Sequence, residues 1–232
     1  MSGFVACAAL LGCATTTDDN SRDRTTTSDQ TEGDRRARLR LELAAGYFGR
    51  GQYDTALDEV KQALVVQPDM GEALNLRGLI YSALGDGRLA EESFRRALQV
   101  NPRDGDSMHN YAWLLCQRNR YVESFAMFQQ AIALPSYGSR ARSFMSLGVC
   151  QARSGALADA ERSLLHSYEL DSSNPVAAAN LSDVLYRRGE YERARFYIRR
   201  VNASADVSNA QTLWLAARIE HKLGNQNAAR DF

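Results

Sequence analysis

The side chains best suited to chemistry in this 232-residue chain are three histidines, four cysteines and a scatter of paired carboxylates. His109, His166 and His221 lie far apart, and none forms the H-x-x-x-H or H-E-x-x-H spacing that sets two imidazoles on one helix face for a metal. Asp58-Glu59 and Glu91-Glu92 read as ordinary exposed helix positions. Gly49-x-Gly51 and Gly85-x-Gly87 share a spacing with phosphate-binding loops, but such a loop follows a strand, and no strand signal precedes either one. These patterns give no catalytic constellation, no metal site and no small-molecule site. The expected class is a non-enzyme.

The elements that hold these residues carry a clearer signal. Gly51-x-Tyr53-x-x-Ala56 leads to Ala63-Leu64 and Pro68, and Gly85-x-Gly87-x-x-Ala90 leads to Ala97-Leu98 and Pro102. Ala56 and Ala90, Ala63 and Ala97, and Pro68 and Pro102 are each 34 residues apart. A 34-residue period with small residues at fixed points is the signature of tetratricopeptide helical hairpins. The spacing predicts units at 37–70, 71–104, 105–138, 141–174, 175–208 and 210–232, with a two-residue slip before the fourth and the sixth incomplete. The fold class is therefore all-α, a right-handed superhelical solenoid of about six hairpins. Small residues at the eighth position (Ala44, Gly78, Ala112, Gly148, Ser182, Ala217) and in helix B (Ala56, Ala90, Ser124, Ala160, Ala194, Ala229) let the paired helices approach. Gly51, Gly85, Gly155, Gly189 and Gly224 fall at the hairpin turns, where a positive φ is often needed. Pro68 and Pro102 stop helix B, and Asn174-Pro175 reads as an N-cap followed by proline at N1.

A stack of such hairpins has a concave face lined by its A helices, and its use is to hold another protein. The positions that point into that face supply Leu41 and Phe48 from unit one, Asn75 and Leu79 from unit two, and His109 and Trp113 from unit three. Units four to six supply Met145 and Val149, then Tyr186, then Trp214. These ten residues are the candidate partner-binding groove. Leu41, Phe48, Leu79, Trp113, Met145 and Val149 would form one apolar stripe, and both tryptophans of the chain, Trp113 and Trp214, fall in the groove positions. Such a patch usually marks a binding site, and Trp and Tyr are favoured anchors.

Composition bounds the partners. Lys+Arg and Asp+Glu are both 28, so the net charge is zero and no electrostatic footprint for nucleic acid exists. Cys116 and Cys150 fall on neighbouring A helices. Those helices stand roughly 10 Å apart, whereas bridged Cα atoms need about 7 Å or less. Two free, packed thiols are expected; an oxidising compartment is the condition for a disulfide.

The N-terminus holds the one cysteine with assignable chemistry. The apolar run Phe4–Leu11 ends in Leu10-Leu11-Gly12-Cys13, which resembles the bacterial lipoprotein signal. The resemblance implies cleavage before Cys13, with diacylglycerol and an acyl chain on its sulfur and amino group as the only non-protein groups. Residues 1–12 would be the signal segment, short enough that the natural start is expected upstream of Met1. The run is far short of the ~20 apolar residues a membrane span needs. Residues 13–35 would be a lipidated, disordered tether rich in Thr, Ser, Asp and Arg, spanning roughly 25 Å, and 36–232 the repeat domain. Ala14 after the cysteine implies sorting to the outer membrane.

A lipoprotein signal, a short polar tether and about six repeats resemble the PilF/PilW family of type IV pilus biogenesis lipoproteins. Leu41-Glu42-Leu43-Ala44-Ala45-Gly46-Tyr47 opens unit one in that family's style, and His109-Asn110-Tyr111-Ala112-Trp113-Leu114-Leu115-Cys116 is similar to its "NNYGxFLC" stretch. Leu181 to Tyr191, followed by Ala194-Arg195, also fits. The resemblance implies a pilotin: a periplasm-facing outer-membrane lipoprotein, anchored through Cys13, that binds secretin subunits and promotes their localisation and multimerisation. The alternative is a periplasmic repeat lipoprotein serving as adaptor for cell-wall enzymes or envelope proteases.

Overall fold

A computed structural model describes residues 31–203 and 206–230. Its elements are six helical hairpins: α1 (Glu32–Gly49) with α2 (Tyr53–Val66), α3 (Gly71–Ala83) with α4 (Gly87–Val100), α5 (Gly105–Gln117) with α6 (Tyr121–Ala133), α7 (Arg140–Ser154) with α8 (Leu157–Leu170), α9 (Pro175–Arg187) with α10 (Tyr191–Asn202), and α11 (Ala210–Lys222) with the short α12 (Gln226–Arg230). No strand occurs among the described residues. The all-α repeat solenoid expected from the 34-residue period is the observed fold.

Each hairpin turns on one residue in the left-handed region. Gly51, Gly85, Gly155, Gly189 and Gly224 have φ between 73° and 88°, and Asn119 has φ 60°. Asn tolerates this conformation better than other residues with a side chain. Measured from these turns, two small side chains face each other in every complete hairpin. Ala44, Gly78, Ala112, Gly148 and Ser182 are all buried, as are Ala56, Ala90, Ser124, Ala160 and Ala194. The contact leaves no room: a Cβ on Gly78 would lie 2.6 Å from the Phe94 ring, and one on Gly148 would lie 2.6 Å from Leu164 Cγ and 3.1 Å from the Ala160 carbonyl oxygen. Where serine fills a small slot, its hydroxyl bonds across the hairpin: Ser124 Oγ donates to the Ala112 carbonyl and Ser182 Oγ to the Ala194 carbonyl, each at 2.8 Å. Four residues beyond the small slot of each B helix, Val60, Phe94, Phe128, Leu164 and Ile198 are buried to within 1% and form the centre of each layer.

The chain enters this stack earlier than composition suggests. Thr31 Oγ accepts from the Asp34 N–H at 3.1 Å, and the Asp34 carboxylate accepts from the Thr31 N–H at 2.9 Å. This reciprocal capping box starts α1 at Glu32. Residues 32–35 therefore belong to the first helix and not to the tether. The signal segment, Cys13 and the rest of the tether lie outside the described residues.

The cysteines correct a second expectation. Cys116 on α5 and Cys150 on α7 form a disulfide, with Cα atoms 5.9 Å apart. The ~10 Å between neighbouring helices is a distance between axes, and Cα atoms sit about 2.3 Å off the axis. Two residues that face each other across such a gap come within about 5.5 Å. The slip creates that facing. Turn residues Asn119 and Gly155 are 36 apart, but the cysteines are 34 apart. Cys150 thus stands two positions earlier on its helix, rotated by about 200° from the equivalent of Cys116.

Two outcomes follow for stability. Gly148→Val should destabilise the domain by about 2 kcal/mol or more in urea unfolding, since the facing atoms include backbone. Replacing Cys116 and Cys150 together by Ser should cost about 3–4 kcal/mol, as expected for a cross-link closing a loop of this length. Wild type in a reducing agent should match the double variant.

Candidate partner-binding face

Successive A helices touch one another (α1 with α3, α3 with α5, α5 with α7, α7 with α9, α9 with α11), whereas no two B helices touch among the described residues. The A helices therefore lie on the inside of the curve, and the concave face is theirs. Its geometry follows from the repeat: one A helix per unit, each presenting the same few positions.

The expected apolar stripe is present but half-sunk. Phe48 packs on the first hairpin, with its ring 5.7 Å from Tyr53. Leu79 is partly buried against the Tyr111–Leu115 layer, Trp113 against Phe128, Leu147 and the disulfide, and Met145, Val149 and Tyr186 against the large C-terminal core. Each covers the seam between two hairpins with one side and keeps the other side open. Asn75 is tied to the neighbouring helix, since Asn110 Nδ2 donates to its Oδ1 at 3.0 Å.

Two of the ten expected residues are not on the surface. Leu41 is 9% exposed, within the first layer. His109 is 7% exposed; its Nδ1 lies 2.8 Å from Ser143 Oγ, which is 3.0 Å from the Tyr137 hydroxyl, and its ring stands edge-on to Phe128 at 5.4 Å. The small Ser143 at the seam leaves a gap that the imidazole fills. Burial, aided by the charge of Arg142, lowers the His109 pKa to about 4, so the ring is neutral and structural.

Trp214 differs from all of these, with 66% exposure. It borders a cleft of about 460 Å³ between α9 and α11, shared with Val176, Ala179, Asp183 and Arg218. Arg218 lies over the Tyr186 ring, 4.5 Å from its centroid. Residue-by-residue periodicity missed Val176 and Val207. Val176 lies at the start of α9, and Val207 lies in the connection before α11, within the stretch from Gly189 to Gly224 that is one residue longer than the repeat.

Two carboxylates, half-buried Glu91 and buried Glu220, fix the layers behind this face. Glu91 receives Arg120 at 2.8 Å, Arg95 at 2.7 Å and the Tyr111 hydroxyl at 2.9 Å. Burial pushes its pKa up, but the Arg120 and Tyr111 hydrogen bonds outweigh that and hold it below the ordinary value. Glu220, 1% exposed, is held low in the same way by Asn225 and Arg199. Among the described residues no group of His, Cys, Asp and Glu could hold a metal, and no helix is long and apolar enough to cross a membrane.

The tetratricopeptide-repeat family profile matches residues 41–87 and 78–139. Over 229 residues, 99% of this chain, the sequence is 27% identical to the type IV pilus assembly protein PilF of Pseudomonas aeruginosa and spans 88% of it. The solved structure of P. aeruginosa PilF superposes with a TM-score of 0.79 at 25% identity, covering 87% of this chain and 90% of that one. The crystal structure of PilW, described as a widely conserved type IV pilus biogenesis factor, superposes with a TM-score of 0.78 at 31% identity, covering 84% and 89%.

The buried imidazole sets a pH dependence. The unfolded chain protonates its histidine near pH 6.5, and the folded chain does so only near 4. Above this window His109 is neutral in both states. As pH falls through it, the unfolded state gains a proton that the native state refuses, and stability drops by about 3 kcal/mol. Urea midpoints measured from pH 7 to 4 should fall, and His109→Gln should flatten the part of that fall between pH 6.5 and 4.

Proposed function

We propose that this chain, which belongs to the PilF/PilW-like family of tetratricopeptide-repeat proteins, is a non-enzymatic scaffold of type IV pilus assembly. In this reading it is an outer-membrane lipoprotein that binds the pilus secretin and promotes its localisation and multimerisation. The observation that carries the reading is the likeness to PilF along nearly the whole chain, N-terminal segment included.

The disulfide supports a place outside the cytoplasm, because such bonds persist in oxidising compartments such as the bacterial periplasm. The half-open apolar seam along the A helices supports a protein partner. Trp113, Leu79 and Tyr186 offer aromatic and aliphatic anchors set in a rigid frame.

Anchor and groove then act together. Acyl chains on Cys13 supply membrane affinity of about 0.8 kcal/mol per buried CH₂, so three chains hold the protein firmly. A secretin subunit held in the groove is confined near that membrane. Its effective concentration there rises, which favours ring assembly without any chemical step.

Cys13→Ser tests the mechanism. The variant should keep the wild-type melting temperature and still bind secretin, while outer-membrane secretin multimers, read by fractionation and heat-resistant gel mobility, should fall sharply. Normal multimer levels in the outer membrane of that variant would refute anchoring as the mechanism.

A further inference from the structure

The cleft between α9 and α11 differs from the rest of the concave face. Elsewhere the anchoring side chains are half-buried in the seams between hairpins. Here Trp214 is 66% and Val176 53% exposed, on opposite walls of a recess of about 460 Å³. That volume lies within the range of sites that enclose several side-chain-sized groups. Two large apolar side chains facing water across a gap form a surface that a partner's apolar side chain would cover.

The polar groups narrow the choice of occupant. Asp183 is already engaged within its own helix by Arg187 at 3.8 Å. Arg218 has no carboxylate within 4.0 Å among the described residues, and Tyr186 holds its guanidinium in place from one side. The unengaged charge at the cleft is therefore positive, on a planar group already oriented for a carboxylate. Asn180 spends an amide N–H on the Val176 carbonyl at 2.8 Å, and its own carbonyl oxygen remains as an acceptor beside the cleft. An acceptor of this kind suits the free N–H groups of an extended chain better than a helix, whose N–H groups are already bonded.

We infer that this cleft binds an extended peptide segment in which a large apolar side chain, seated between Trp214 and Val176, stands within a residue or two of a carboxylate that pairs with Arg218. The inference rests on the concave face being the partner site, and it places one contact at the C-terminal end of the solenoid.

A displayed library of random linear peptides, selected on the purified protein, tests it. The enriched peptides should combine an aromatic or large aliphatic residue with Asp or Glu. A synthetic copy of the consensus should lose about tenfold or more in affinity with Trp214→Ala. Arg218→Glu should turn the selection towards Lys or Arg at the acidic position. Both side chains are exposed, so unchanged melting temperatures should accompany these effects. Enriched peptides that ignore Trp214→Ala and Arg218→Glu but are lost with Leu79→Ala and Trp113→Ala would overturn the cleft and leave the wider groove standing. Enriched peptides insensitive to all four changes, or no enrichment at all, would overturn the cleft and remove support from the groove as a peptide-binding face.

Discussion

The two helices of each complete hairpin meet at a pair of positions where only Gly, Ala or Ser fits, and the rest of the molecule depends on that approach. A Cβ on Gly148 would stand 2.6 Å from Leu164 Cγ, closer than two carbons can approach, so the interhelical distance has no slack. A fixed distance repeated in successive units sets the rotation from one hairpin to the next. That rotation puts every A helix inside the curve and every B helix outside. The groove is thus a consequence of small residues several ångströms behind it, and its lining side chains are positioned by contacts they do not make.

The junction of the third and fourth units shows how a break in the repeat is held. The extra two residues between Asn119 and Gly155 would loosen a purely periodic stack. Instead the junction carries the Cys116–Cys150 bond, the His109–Ser143–Tyr137 hydrogen bonds and the Phe128 ring within one region. The covalent link and the neutral imidazole both act on the middle of the solenoid, where flexing would most alter the groove. The same slip that disturbs the pattern brings the two thiols face to face.

Period, turn glycines and small slots were legible in the sequence because each is a local requirement: a positive φ, or absence of a side chain, leaves its mark at one position. Facing relations between helices leave no such mark. The distance between helix axes does not fix the distance between two cysteines whose rotation about those axes depends on the slip, so spacing alone does not show the bond. The same holds for His109, whose groove position does not reveal its burial. Its position points inwards, but the small Ser143 opposite draws the ring into the seam. Trp214 occupies the slot of Leu41, Asn75, His109, Met145 and Ala179, which are buried or half-buried, yet is itself 66% exposed, and the sequence pattern carries no mark of that difference. Thr31 and Asp34 could have been recognised as a capping box, although the surrounding polar composition masked the start of α1.

These features describe a stiff, disulfide-braced groove with anchors at several heights, joined through its N-terminal segment to Cys13. In the proposed function the concave face of that groove holds a pilus secretin. The most direct measurement is recovery of bound proteins from detergent-solubilised envelope, comparing wild type, a Leu79→Ala, Trp113→Ala groove variant and a Val122→Ala variant on the exposed side of α6. Secretin should come down with wild type and with Val122→Ala and be lost from the groove variant. Secretin retained equally by all three, or cell-wall hydrolases or proteases recovered in its place, would contradict the account.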